Sequence, residues 1–210
     1  MKIAVLVSGH GSNLQALIDA GLATHMVGVL SNQADAYALQ RATQAQIPTA
    51  VISHKDFPNR VLFDQQMHQQ LLAWQADFVV LAGFMRILSD EFVRLWQGKM
   101  INIHPSLLPY YKGMHTHQRV LRTGDVFHGC TAHFVTPELD SGCAVAQGVL
   151  KVKGNETAEQ LAERVHQLEH LIYPQVVQWI CQGQIQHQHD GSVHYMGKPL
   201  TQPLRFCDGF

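Results

Sequence analysis

The chain has no long hydrophobic run, no excess of charge of either sign and few cysteines, and each shortage removes a class of protein. Its opening residues hold one lysine and an apolar run over 3–7, too short for a signal-peptide core and far too short to span a bilayer. A cytoplasmic protein whose first strand is 3–7 is expected. Fifteen basic residues against sixteen acidic ones leave a formal charge of −1, so no electrostatic footprint for nucleic acid or a membrane surface is visible and small-molecule partners are expected. Cys130, Cys143, Cys181 and Cys207 lie far apart, with no pair at metal-ligand or redox-motif spacing, which predicts reduced thiols and no disulfides. Repeats, low-complexity tracts and linkers are also missing. What is abundant is histidine, fourteen in 210 residues, which makes the net charge sensitive between pH 5 and 8.

At this length the chain suits one domain, or one large domain with a small appendage. Apolar runs of strand length recur at 3–7, 26–30, 49–52, 78–82 and 100–103, with stretches of helical spacing such as 61–74 between them. This alternation predicts an α/β fold with a doubly wound, mainly parallel sheet and helices on both faces. Covering both faces explains why the strands read as solid apolar runs. Two longer runs, 129–135 and 144–152, resemble strands joined across the loop 137–142 and extend the sheet. A long helix is expected from Thr157, with Gln160 completing a capping box and Leu161, Val165, Leu168, Ile172 and Val176 on one face. Pro174 is expected to kink or end it. Asp190 and Gly191 predict a terminal hairpin. The chain then reads as one domain, 1–183, with a hairpin or tail, 184–210, packed on or flanking it.

The chemistry concentrates in Asn102, Ile103, His104, Pro105, Ser106, Leu107, Leu108 and Pro109, read with Asp140. An apolar run ends here, at the kind of strand end where open α/β sheets place their chemistry. Asn102 and His104 are two apart and so share a face; the amide can donate a hydrogen bond while the imidazole donates or takes a proton. Prolines on either side stiffen the turn. A histidine beside a strand end can also be purely structural, and the residues alone leave both readings open. The turn around Gly11, Ser12 and Asn13 sits at a helix N-terminus, which favours an anion such as phosphate. Leu14 stands where a dinucleotide fingerprint needs a third glycine, and no acidic residue closes the second strand near Ser31, so a monophosphate suits better than NAD. Equally, the glycines can make a tight turn that Ser12, with Gln15, caps. His115, His117, His128 and His133 match no zinc pattern.

Together these segments resemble the phosphoribosylglycinamide formyltransferases, a folate-dependent family of purine synthesis. The resemblance runs from Met1 to about Gly183. Its carriers are the turn 11–14, the run 82–88, the block 102–109, the loop 138–140, and Glu169, His170, Leu171, Ile172, Tyr173 and Pro174. The block 102–109 belongs to the wider formyltransferase superfamily; the phosphate turn and the run 169–174 narrow it. The resemblance implies transfer of a formyl group from 10-formyltetrahydrofolate, a cosubstrate, to the amine of glycinamide ribonucleotide, with no metal. It assigns Asn102, His104 and Asp140 to catalysis, and Gly11, Ser12, Asn13 and Glu169 to the ribonucleotide. Met85, Arg86, Ile87 and Leu88 with Thr136, Pro137, Glu138 and Leu139 would enclose the folate, and Arg60 would lie at the folate end of the cleft. Asp140 would hold the His104 imidazole cationic and help move the amine proton. Three positions depart from the family's usual pattern: His10, where asparagine or threonine is common, and Ser141 and Cys143, often glycine and proline. The methionyl-tRNA enzymes of the superfamily need an RNA-binding domain not expected in a chain this short and this weakly basic, and the deformylases usually carry a leading regulatory domain.

Overall fold

Every residue of the first strand, Ile3–Val7 (β1), is buried, as a strand covered on both sides requires. The structure is a computed structural model that describes residues 1–207. Its contacts divide it into two compact units, Met1–Asn102 and Ile103–Phe210.

In the first unit, β1 is followed by α1 (Ser12–Asp19), β2 (Met26–Ser31), α2 (Tyr37–Gln44), β3 (Thr49–Val51), α3 (Arg60–Ala73), β4 (Phe78–Leu81), α4 (Asp90–Leu95) and the start of β5 (Met100–His104). All pairings are parallel: β1 lies between β2 and β4, β3 lies outside β2, and β5 lies against β4 with Leu81 opposite Asn102. The order runs outward in both directions from β1, which is the doubly wound pattern. Leu14 and Leu17 of α1, Phe63, Met67 and Leu71 of α3 and Phe92 of α4 are all buried with the strands. Burying side chains of this size stabilises by about 1.5–3 kcal/mol each.

The second unit holds α5 (Thr116–Thr123), β6 (Phe127–Phe134), β7 (Ala144–Lys151), α6 (Ala158–Cys181), β8 (Ile185–His187), β9 (Val193–Tyr195), β10 (Lys198–Pro199) and β11 (Leu204–Cys207). β6 and β7 pair antiparallel across the expected loop. The expected capping box opens α6, with Thr157 Oγ1 accepting from the Gln160 N–H at 3.2 Å and Gln160 Oε1 from the Thr157 N–H at 2.9 Å. The expected apolar face, Leu161, Val165, Leu168, Ile172 and Val176, is buried. The helix does not end at Pro174. Ile172 and Tyr173 before it and Val176, Val177 and Ile180 after it are all buried, and that packing outweighs the roughly 3 kcal/mol a proline costs inside a helix. β8 and β9 form the expected hairpin, turned where Asp190 Oδ1 accepts from the Ser192 N–H at 2.9 Å. β10 adds a third antiparallel strand. β11 was not anticipated: it pairs parallel with β7, so the tail supplies a strand beyond the hairpin. Asp208, Gly209 and Phe210 of that tail lie outside the described residues. All four cysteines are free thiols, and among the described residues no helix is long and apolar enough to cross a membrane.

Candidate functional site

β5 is the last strand before a long loop, and its alternation puts Asn102 and His104 on one face, with Ile101 and Ile103 on the other. In the second unit, the loop 136–142 brings Asp140 back to His104, with Oδ2 at 3.4 Å from the ring Nδ1. Both side chains are 8% exposed. The same oxygen accepts from the Gly113 N–H at 2.8 Å. On the far side of the ring, Nε2 lies 3.0 Å from the Tyr111 carbonyl oxygen. Each ring nitrogen therefore faces an acceptor, and a ring bearing two protons satisfies both contacts at once. Asp140 adopts φ 49°, a left-handed conformation that aspartate tolerates better than most residues. Gly142 closes the loop so tightly that a Cβ there would stand 1.7 Å from the Phe134 carbonyl oxygen. Only glycine fits.

His133 is a member of this cluster that sequence reasoning missed as a partner of Asp140. Its Nε2 stands 3.7 Å from Asp140 Oδ1, while its Nδ1–H donates to the Phe134 carbonyl at 2.9 Å. Burial pushes it down to about 4, so it is neutral at pH 7 beside the His104–Asp140 pair. Neighbouring His117 and His128 share a contact of 3.0 Å and are both pushed down to about 4 by burial. His133 and Thr131 are two apart on β6 and so share a face, which is the signal that could have found His133.

Thr131 holds the turn after β5. Its hydroxyl donates to the Ser106 carbonyl at 2.7 Å and accepts from the Leu108 N–H and from Gln147 Nε2, each at 3.1 Å. Gln147 Nε2 also reaches the Leu108 carbonyl at 2.8 Å, and the Ser106 hydroxyl donates to the Tyr110 carbonyl at 2.7 Å. The turn is thus fixed by buried polar groups on β6 and β7 as well as by its two prolines. Nothing in the local sequence of 102–109 names those partners.

Of the loop candidates, Pro137, Glu138 and Leu139 are exposed and Thr136 half-buried, its hydroxyl donating to the Glu138 carbonyl at 3.2 Å. Lys112 pairs with Glu138 at 3.2 Å and donates to the Ser141 hydroxyl; a hydrogen bond from Ser141 to Glu138 and then Lys112 hold the Glu138 carboxyl below its usual range. Glu169 is 4% exposed on α6. Burial and then its charge push the Tyr173 hydroxyl and the Cys130 thiol well up, so the carboxylate acts within the packing of α6 on the strands.

In the first unit, Gly11 rather than Ser12 is the N-cap of α1, at φ 75°, and no side chain caps the helix. The reading in which Ser12 with Gln15 caps it fails, because Gln15 is turned toward Asp19 and Arg41. A Cβ on Gly11 would meet that of Ala38 at 2.5 Å, so close packing by itself requires a glycine here. Ser12 is half-buried and Asn13 buried. His10 stacks on Tyr37 with ring centres 5.4 Å apart, beside Arg41, whose Nε donates to the His10 carbonyl at 3.0 Å. Arg60 opens α3 and is exposed. Met85, Arg86 and Ile87 are exposed while Leu88 is buried, and the Met85 N–H donates to the Ser8 hydroxyl at 2.8 Å. Among the described residues, no group of three or more His, Cys, Asp or Glu side chains is placed to hold a metal ion.

A family model described as formyl transferase matches residues 1–177. The chain is 43% identical over 204 residues to the phosphoribosylglycinamide formyltransferase of Escherichia coli (strain K12), covering 95% of this chain and 96% of that protein. It is 44% identical over 190 residues to the trifunctional purine biosynthetic protein adenosine-3 of Chironomus tentans, covering 88% of this chain and 14% of that protein. The corresponding protein of Bos taurus is 46% identical over 196 residues, covering 91% and 19%. The chain therefore spans less than a fifth of those trifunctional relatives. Among solved structures, the phosphoribosylglycinamide formyltransferase of Coxiella burnetii superposes with a TM-score of 0.93 at 44% identity, over 98% of this chain and 99% of that one.

Proposed function

The chain belongs to the formyl transferase family, and from that premise we propose that it transfers the formyl group of 10-formyltetrahydrofolate to the amine of glycinamide ribonucleotide. The products are formylglycinamide ribonucleotide and tetrahydrofolate, a step of purine biosynthesis. The enzyme acts in the cytoplasm on two small molecules, with no nucleic acid or membrane involved. Residues 1–183 work as one catalytic domain and 184–210 as its tail.

The observation that supports the reading most is the buried His104–Asp140 pair at 3.4 Å, with an acceptor at each ring nitrogen. Attack of the amine on the formyl carbon forms a C–N bond and pushes the carbonyl electron pair onto oxygen. Asn102 and the protonated His104 donate to that oxyanion, His104 through the Nε2–H that otherwise meets the Tyr111 carbonyl. Asp140 takes the amine proton, directly or through water, and it reaches N10 of the folate as the C–N10 bond breaks. Gly11, Ser12 and Asn13 bind the ribonucleotide phosphate at the start of α1, where no side chain caps the helix and the helix dipole favours an anion. Glu169 serves the ribose or glycinamide end. Met85, Arg86, Ile87 and Leu88 enclose the folate with Thr136, Pro137, Glu138 and Leu139, and Arg60 meets its far end.

The test is an assay of the purified protein with 10-formyltetrahydrofolate, with and without glycinamide ribonucleotide, following both products, with His104→Ala as control. Folate release that requires the ribonucleotide, yields its formyl derivative and collapses in the variant is expected. Release without the ribonucleotide would make the protein a deformylase, and binding without turnover a silent module.

A further inference from the structure

Asp64 lies on α3, 2% exposed, far from the reacting groups in sequence and assigned no role above. Its Oδ2 accepts from the Ser89 N–H at 2.6 Å, across 25 residues of chain. The Ser89 hydroxyl bonds the same carboxylate and accepts from the Phe92 N–H at 3.3 Å, capping α4. The stretch 83–88 has no helix or strand of its own, and it is held near one end by the Met85 N–H on Ser8 and just past the other by Ser89 on Asp64. Arg60, one turn earlier on α3, and Arg86, within the stretch, both act on the carboxylate through charge. One buried group therefore joins the two elements that carry the folate candidates of this unit.

We propose that Asp64 is a positioning residue for the folate cosubstrate, its carboxylate fixing the stretch 83–88 and the two arginines relative to α3 through Ser89. The proposal rests on the formyl transfer reading above. Asp64 Oδ1 is buried with no hydrogen-bond partner among the described residues. Beside it lies a cavity of about 10 Å³, lined also by Gln65, His68, Ser89 and Glu91, about the size that holds a single water. A buried carboxylate is a poor choice for stability alone, since apolar packing of similar volume does as well or better. What the carboxylate supplies is a fixed, charge-assisted hold on the Ser89 amide.

The titratable and charged groups around Asp64 are Arg60 and His68 from α3, Arg86 from the loop and Glu91 from α4. Burial raises the Asp64 carboxyl against the pull of Ser89 and the two arginines. Its ionised form, which the charge contacts with Arg60 and Arg86 require, is thus lost on acidification earlier than for an ordinary carboxylate.

The experiment compares wild type, Asp64→Ala and Asp64→Asn by steady-state kinetics with each substrate varied, and by hydrogen exchange of the free proteins. Asp64→Ala is expected to raise the folate KM about tenfold, to move the ribonucleotide KM and kcat by less than threefold, and to speed exchange at the Ser89 and Phe92 amides. Asp64→Asn keeps an acceptor for the Ser89 N–H, so it rescues most of the exchange protection. It also abolishes the rise of folate KM that wild type shows as pH falls. An unchanged folate KM in Asp64→Ala overturns the proposal. So does a uniform loss in both KM values and kcat with a lowered Tm, which marks a purely structural role. Absence of ribonucleotide-dependent turnover in wild type defeats the formyl transfer reading and the proposal with it, while the exchange data still tell whether the tie to Ser89 exists.

Discussion

The surroundings of His104 and the stretch 83–88 are both loops at strand ends, yet they are built oppositely. Around His104 the protein satisfies its own polar groups: Asp140 and the Tyr111 carbonyl meet the ring, the Gly113 N–H meets Asp140, His133 stands beside that carboxylate, and Thr131 and Gln147 fix the turn behind it. Along 83–88 the backbone is tied at two points while Met85 and Ile87 stand 76% and 64% exposed. Groups that move protons or meet developing charge must be held within a fraction of an ångström before the substrate arrives. Groups that cover an apolar ligand need only be brought to its surface, and left open they present exposed hydrophobic area for it.

Removing a held group should have the largest effect. His104→Ala is expected to lower kcat about 10²–10³-fold and, by leaving buried Asp140 without its partner, to lower Tm as well while the protein still folds, read from initial rates and a thermal melt. Comparable kcat values for variant and wild type would sink its catalytic role. Thr131→Val, on β6 against the turn, leaves the Ser106 carbonyl without its donor and the Leu108 N–H without its acceptor. It is expected to cost about 1–3 kcal/mol in a urea titration and to lower kcat by loosening the turn. A variant that unfolds like wild type would mean that the prolines alone hold the turn.

The histidines of the second unit give the comparison a pH axis. His128 is buried and pushed down to about 4, so between about pH 6.5 and 4 the unfolded chain binds a proton that the folded chain does not. Stability therefore falls as pH drops through that window and is regained as pH rises above it. The His128→Gln variant should show a shallower loss, on the order of 2 kcal/mol less between pH 7 and 4, in melts at a series of pH values. A slope equal to that of wild type would remove His128 as its source.

The smallest stability effect belongs to the open region. Met85→Ala is expected to change stability by less than about 0.5 kcal/mol, because the side chain is exposed, yet to raise the folate KM severalfold. If it instead lowers kcat and leaves the KM alone, the stretch 83–88 is part of the held machinery and the contrast fails.

Much of the fold was legible in the sequence because its signals are local. The runs 3–7 and 26–30 become β1 and β2 within a residue, and Thr157 with Gln160 caps α6 as read. Of the two outcomes read for Pro174, a kink or an end, the end does not occur, because its local cost is outweighed by buried neighbours on both sides. β11 escaped because its partner, β7, lies more than fifty residues back, and no residue of 204–207 names it.

The candidate site divides along the same line. Sequence alone put Asn102 and His104 on one face, since that follows from the period of a strand, and singled out Asp140 as a partner from a downstream loop, to which resemblance gave a catalytic role. Only the tertiary structure decided that Asp140 comes within 3.4 Å of the ring, that His133 flanks it, and that Thr131, Gln147 and Asp64 hold the turns in place. Those are contacts between residues distant in the chain, made by hydrogen bonds whose partners are chosen by packing. A strand's period is written in neighbouring residues, whereas the partner of a buried polar group is settled only when the chain has closed around it.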